Sequence, residues 1–155
     1  MFYGAYRHAV DEKGRLAIPV RFRHRLDGGA MLARGREACL VIYPANEWAD
    51  LTRQLQYSSR VSPTFLEYMR TLFPHSQPAD FDAQGRLLLA PEERQYASIG
   101  RGAVVVGMNN VIEIFGEEQW NARQAGHDAT TATALAEAVR AELAASERAP
   151  QGAPA

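Results

Sequence analysis

A five-residue device occurs twice in this chain, with starts 71 positions apart: Asp11-Glu12-Lys13-Gly14-Arg15 and Asp82-Ala83-Gln84-Gly85-Arg86. Each copy is followed by a short apolar run and a proline, Leu16-Ala17-Ile18-Pro19 and Leu87-Leu88-Leu89-Ala90-Pro91. The composition predicts about 0.05 chance matches to Asp-x-x-Gly-Arg, so two with the same sequel indicate a tandem duplication. Allowing one extra residue before Pro91, the match continues. Leu40-Val41-Ile42-Tyr43 aligns with Ile112-Glu113-Ile114-Phe115, and Trp48 with Trp120. Each half reads strand, tight turn, strand, proline-led short helix, two further strands and a tryptophan-bearing helix. Halves of about 70 residues lie near the lower size limit for a core, so the two are expected to share one.

The strand content with flanking helices predicts a β-rich α+β protein. Residues 1–56 form the first repeat, 57–76 a helical linker, 77–126 the second repeat, 127–143 a C-terminal helix and 144–155 a disordered tail. Asn46 is the expected N-cap of the Trp48 helix, which breaks at Tyr57-Ser58-Ser59. Ser62-Pro63 starts a second helix with proline at its first position. Phe65, Leu66, Met69, Leu72 and Phe73 give that helix an apolar face, for core or subunit contact. Pro74 ends it. Gly116 precedes the acidic first turn Glu117-Glu118, and Gly126 interrupts the chain before a last helix near Asp128.

At 155 residues and 46% hydrophobic content, an ordinary globular protein is expected. No apolar run approaches the roughly 18 residues of a membrane span, and Met1-Phe2-Tyr3-Gly4 does not open a signal peptide. A cytoplasmic location is the expectation. One cysteine, Cys39, allows no internal disulfide and reads as a buried thiol. Net charge is −1, but residues 1–40 carry eight Arg/Lys against four Asp/Glu, and residues 109–155 three against seven. This asymmetry suits one basic and one acidic face. The four histidines (8, 24, 75 and 127) match no metal-ligand spacing, and no phosphate loop, His-Glu-x-x-His or serine elbow is present. The expectation is no enzyme, no metal, no cofactor and no small-molecule substrate.

The repeated turn has its own chemistry. Asp at the first position of a type I turn accepts from amides two residues on, and Gly supplies the left-handed residue that closes the hairpin. Strands Tyr6–Val10 and Arg15–Ile18 flank copy one, and Ala79–Phe81 and Arg86–Leu89 flank copy two. Alternation puts Leu16, Ile18, Leu87 and Leu89 inward and Arg15 and Arg86 outward. Two readings fit: a structural Asp–Arg ion pair across each turn, or arginines presented to phosphates or guanine edges with Asp11 and Asp82 orienting them. Lys13 at the first tip favours an anion there, where copy two has Gln84. Arg21 and Arg23, with His24 and Arg25, either extend a basic surface or form a solvated helix flank.

The paired turns, the opening Met-Phe-x-Gly, Gly14-Arg15-Leu16-x-Ile18-Pro19 with Arg21-Phe22-Arg23 downstream, and the second-half Asp82–Pro91 run resemble the MraZ family. So do the aromatic-ended strands Leu40–Tyr43 and Ile112–Phe115, each followed by Trp. The resemblance covers residues 1–143. It implies an AbrB-like swapped-hairpin β-barrel built from two tandem repeats with peripheral helices. It also implies a bacterial, nucleoid-associated transcriptional regulator, most simply a repressor, that forms a homo-oligomeric ring. Such a protein binds double-stranded DNA at repeated boxes upstream of its own gene, in the division and cell-wall cluster. Carried onto this sequence, DNA contact falls on Arg15 and Arg86 with Lys13 beside the first. Asp11, Gly14, Asp82 and Gly85 set the turns, and Arg21 and Arg23 extend the basic surface. The second turn departs from the first in lacking a lysine. The rival readings are a ring or interaction scaffold without DNA binding, and an antitoxin-like AbrB relative.

Overall fold

The computed structural model describes residues 1–148. Its elements run β1 (Ala5–Ala9), β2 (Arg15–Ala17), α1 (Val20–Arg23), β3 (Ala30–Arg34), β4 (Leu40–Pro44), α2 (Ala45–Ser59), α3 (Pro63–Leu72), β5 (Gln77–Pro78), β6 (Arg86–Leu88), α4 (Pro91–Tyr96), β7 (Gly102–Met108), β8 (Val111–Gly116), α5 (Glu117–Ala125) and α6 (Ala129–Arg148). Residues Met1–Trp120 form one compact unit, and the chain from Asn121 a second.

Six strands make an antiparallel sheet in the order β1-β7-β8-β4-β3-β5, and β2 and β6 pair as a separate ribbon. The repeats interleave. Hairpins β3–β4 and β7–β8 meet through β4 and β8, while β1 of the first repeat borders β7 of the second and β5 of the second borders β3 of the first. In the central pairing Val41 opposes Glu113, with Leu40 opposite Ile114 and Ile42 opposite Ile112. In the ribbon Leu16 opposes Leu87. Each central pair joins residues that correspond in the duplication, so a local pseudo-twofold relates the halves. This is the exchanged-hairpin architecture expected of the duplicated fold.

The period-two pattern explains the layers. Leu16, Ile18, Leu87 and Leu89 point from the ribbon and its extensions into a core with Leu32, Leu40, Ile42, Val105, Ile112 and Ile114. The sheet's other face buries Cys39, Val41, Val104, Val106 and Phe115, with Phe115 against Trp120 at 5.3 Å between ring centroids. Farther along that sheet, Ala33, Leu55 and Leu72 pack with Trp48, which meets Tyr43 and Phe73. Burial on both faces accounts for the near-continuous apolar runs of β4 and β7. Cys39 is buried, its thiol donating to the Arg36 carbonyl at 3.2 Å.

Several boundaries differ from the sequence reading. The Trp48 helix begins at Ala45 with Pro44 as the flanking residue, so Asn46 lies inside the first turn and its amide donates to the Glu47 carboxylate at 3.2 Å. Pro44, with φ fixed near −53°, turns the chain directly from strand to helix. That helix continues through Tyr57-Ser58-Ser59, and the break falls at Arg60–Ser62. In place of a strand over Ala79–Phe81, pairing is limited to Gln77–Pro78, the Ala79 N–H on the Ala30 carbonyl, the Leu88 N–H on the Asp80 carbonyl and one Phe81–Leu87 bridge. Pro78 has no N–H to extend the ladder. Residues 144–148, expected to be disordered, continue α6, as their alanine-rich composition favours. The rest of that expected tail, 149–155, lies outside the described residues. Asp128 precedes α6, and its carboxylate accepts from the Thr131 N–H at 2.8 Å.

Candidate nucleic-acid interface

Both turns adopt the type I plus left-handed glycine form. The Gly14 N–H reaches the Asp11 carbonyl and the Gly85 N–H the Asp82 carbonyl, each at 2.9 Å. Gly14 and Gly85 have φ of +81° and +73°. Neither position has room for a side chain: a Cβ on Gly14 would lie 2.6 Å from the Leu89 carbonyl oxygen, and one on Gly85 would collide with the Arg23 guanidinium.

Both aspartates bond the amides of their own turns. Asp11 Oδ1 accepts from the Lys13 and Arg15 N–H groups at 3.0 and 2.9 Å, and its Oδ2 takes Arg15 Nε at 2.6 Å. Asp82 repeats this with the Gln84 and Arg86 N–H groups at 3.0 and 2.9 Å and Arg86 Nε at 2.7 Å. The Arg15 N–H is the largest influence holding the Asp11 carboxyl below its ordinary value, with partial burial opposing it. The Arg86 N–H does the same for Asp82. Each aspartate engages Nε and fixes the guanidinium plane. The Nη groups of Arg15 have no hydrogen-bond partner among the described residues, a fork suited to phosphate or a guanine edge.

The ribbon brings the two turns onto one surface. Arg15 lies opposite Leu88 and Arg86 opposite Ala17, so both arginines share the outward face on a diagonal. Their side chains are 31% and 28% exposed, mostly covered but reachable. Arg86 Nη1 lies 3.8 Å from Asp11 Oδ2, so Asp11 serves both arginines. The Ile18 N–H donates to the Gly85 carbonyl and the Leu89 N–H to the Gly14 carbonyl, at 3.3 and 2.8 Å. Each turn is thus stitched to the other repeat.

The family model described as "MraZ protein, putative antitoxin-like" matches residues 1–64 and again 72–141. The chain belongs to the MraZ family. Relatives named transcriptional regulator MraZ include one from Thermomicrobium roseum, 42% identical over 123 residues, covering 79% of this chain and 87% of the relative. One from Herpetosiphon aurantiacus is 42% identical over 120 residues, covering 77% and 84%. One from Mycolicibacterium smegmatis is 34% identical over 140 residues, covering 90% and 98%.

Other basic residues fall into place around this MraZ ribbon. Lys13 is exposed at the first tip, beside Glu12. Arg21 is drawn onto Tyr6 of β1, its Nη1 donating to the phenol oxygen at 2.9 Å. Arg23 donates Nε to the Ile18 carbonyl at 2.8 Å and lies against Gly85, bracing the second turn from below. Its counterpart is Arg94, with Nε 3.2 Å from where a Gly14 Cβ would stand. Sequence reasoning missed Arg94 because the extra residue was placed before Pro91, aligning it with Phe22. α1 starts at Val20 and α4 at Pro91, which keeps the 71-residue offset through both helices. The extra residue falls between α4 and β7. A search for arginines at that offset would have found the pair.

Proposed function

We propose that this chain is a transcription regulator that reads double-stranded DNA with the β2/β6 ribbon. The pairing of Leu16 with Leu87 carries the reading, because it sets Arg15 and Arg86 on one outward face. A two-stranded ribbon fits the B-DNA major groove, about 12 Å wide, where arginine forks bind guanine edges. Arg15 and Arg86 are the readers, Lys13 adds a phosphate contact, and Asp11, Gly14, Asp82 and Gly85 hold the geometry. Arg21 and Arg23 extend the basic surface, Arg23 chiefly as a brace.

Each turn arginine is balanced by its own aspartate, so one subunit binds weakly. Several subunits on repeated boxes recover affinity through effective concentration. Exposed apolar side chains on α3, Phe65, Leu66 and Tyr68, with Val61 just before it, support self-association. The working form is a homo-oligomeric, nucleoid-associated ring. It acts as a repressor on repeated boxes upstream of its own gene, in the division and cell-wall cluster, as its MraZ membership suggests. The reading assigns it no catalytic role.

Fluorescence anisotropy tests this with labelled upstream DNA and a scrambled duplex, across a salt series. The expected result is preferential, steeply salt-dependent binding by the wild type, lost in an Arg15→Ala protein of matching oligomer size. Equal, feeble binding of both duplexes by both proteins overturns it in favour of a scaffold without DNA binding.

A further inference from the structure

A second basic site lies away from the ribbon. A cavity of 460 Å³ opens between the end of β3, the turn after it, α3 and α4, within the 300–1,000 Å³ range of small-ligand sites. Arg34, Arg36, Arg70 and His75 supply its polar lining, and Tyr68 and Tyr96 its rings.

Its floor is fixed. Arg34 donates Nε to Glu93 at 3.2 Å, a carboxylate buried to 8% exposure, and its guanidinium carbon stands 4.9 Å from the Tyr96 ring centroid. The Tyr96 hydroxyl donates to the Gly35 carbonyl at 2.6 Å. Glu93 neutralises Arg34, which leaves Arg36 and Arg70 as the arginines open to an anion. Arg36 makes no ion pair among the described residues. Arg70 pairs only with Glu67, both well exposed, and such a surface partner is readily exchanged. Arg36 is held at the rim by a turn in which Glu37 and Ala38 take left-handed φ of 57° and 54°. Non-glycine residues in that region mark a conformation imposed by function or packing. Arg36, and Arg70 with its exchangeable surface partner, beside exposed Tyr68 suit a diphosphate joined to a planar ring.

We propose that this cavity binds a small organic anion of the nucleoside diphosphate class, its phosphates on Arg36 and Arg70 and its ring on Tyr68. α4 links the site to the DNA ribbon: Tyr96 lines the cavity, Glu93 holds its Arg34, and Arg94 between them in sequence lies against Gly14 of the first turn. Occupancy therefore modulates DNA binding, a consequence that rests on the proposed DNA-reading role, whereas ligand binding does not.

Calorimetry on the full chain, at low salt and without divalent cations, tests the site with ADP, inorganic pyrophosphate and adenosine. ADP is expected to bind saturably, pyrophosphate more weakly and adenosine not at all. Replacing both charges, Arg36→Gln with Arg70→Gln, is expected to weaken ADP by about tenfold or more, whereas Arg53→Gln on the exposed face of α2 changes nothing. No binding of ADP by the wild type, or equal binding by the double variant, overturns the site. Pyrophosphate binding as tightly as ADP overturns the ring contact and reassigns the cavity to inorganic anions. In the anisotropy assay, saturating ADP is expected to shift wild-type DNA affinity about fivefold or more and leave the double variant unmoved. An equal shift in both places ADP on the DNA arginines and overturns the coupling, as does no shift in a wild type that binds ADP. A protein that binds ADP but no DNA fails the regulator reading alone.

Discussion

In the first turn Lys13 stands at the tip, and Asp11 faces both Arg15 and Arg86; in the second, Gln84 takes the tip and Asp82 serves Arg86 alone. The undersides differ as well. Gly14 is closed off by the Leu89 backbone, Gly85 by the flexible side chain of Arg23. Beside the second turn a hollow of 240 Å³ remains between Arg23, Leu26, Asp27 and Phe81. Backbone hydrogen bonds, glycine conformations and aspartate geometry correspond almost atom for atom; the exposed tips and the supports do not. Duplication kept what closes the hairpins, the outward arginines included, and left the exposed tips free to differ.

The largest test of that contrast is at the glycines. Gly85→Ala is expected to cost about 1–3 kcal/mol for the left-handed backbone, with Arg23 moving aside. Gly14→Ala meets the same backbone penalty and a carbonyl that cannot move, so its loss is larger. Denaturant unfolding ranks the two, and equal losses would show the undersides to be equivalent.

The arginines come next. Arg15→Ala and Arg86→Ala should each weaken specific DNA by about tenfold or more, the scale of a lost fork contact of 1–3 kcal/mol. If only one matters, the ribbon is not read as a symmetric pair. The aspartates sharpen the point: Asp11→Asn should disturb binding more than Asp82→Asn, because Asp11 faces two guanidiniums. Equal effects would mean that the 3.8 Å approach of Arg86 to Asp11 is idle.

Exchanging the tips is a smaller perturbation. Lys13→Gln should lower the salt slope of binding by about one unit, and Gln84→Lys raise it by about one, with little change in base preference. A shift in preference instead would put the tips on base edges.

The mildest effect is in acid. Both carboxyls titrate below their ordinary value of 3.8. The support they give is therefore fully present above that value and fades only as the pH falls through the lowered ones. Hydrogen exchange at the Arg15 and Arg86 amides should stay protected down to that range and then open. Opening well above the ordinary carboxylate value would contradict the bonding described.

Much of this was legible in the chain. Asp-x-x-Gly-Arg specifies its hairpin because both the carboxylate bonds and the left-handed glycine are local, spanning five residues. Leu16, Ile18, Leu87 and Leu89 announced their inward face by alternation alone. Arg23 and Arg94 were harder, since their role is to fill space beneath a glycine of the other repeat, a contact no local pattern encodes. The end of α6 lies beyond the expected one because the alanines up to Arg148 favour helix despite the prolines and glycine that follow in the sequence.

The sequence by itself determined that the fold is duplicated, that each repeat carries a tight turn with an outward arginine, and that the family is MraZ. The first two follow from short-range geometry and periodicity, which survive without knowledge of neighbours; the family follows from the resemblance of the paired motifs to those of its members. Only the tertiary structure decided that the two arginines stand on a single ribbon, that Asp11 faces both, and that α4 joins the first turn to a basic cavity. Those relations arise from the pairing of strands some 70 residues apart around a pseudo-twofold, and its register is set by burial of the shared core rather than by either repeat alone.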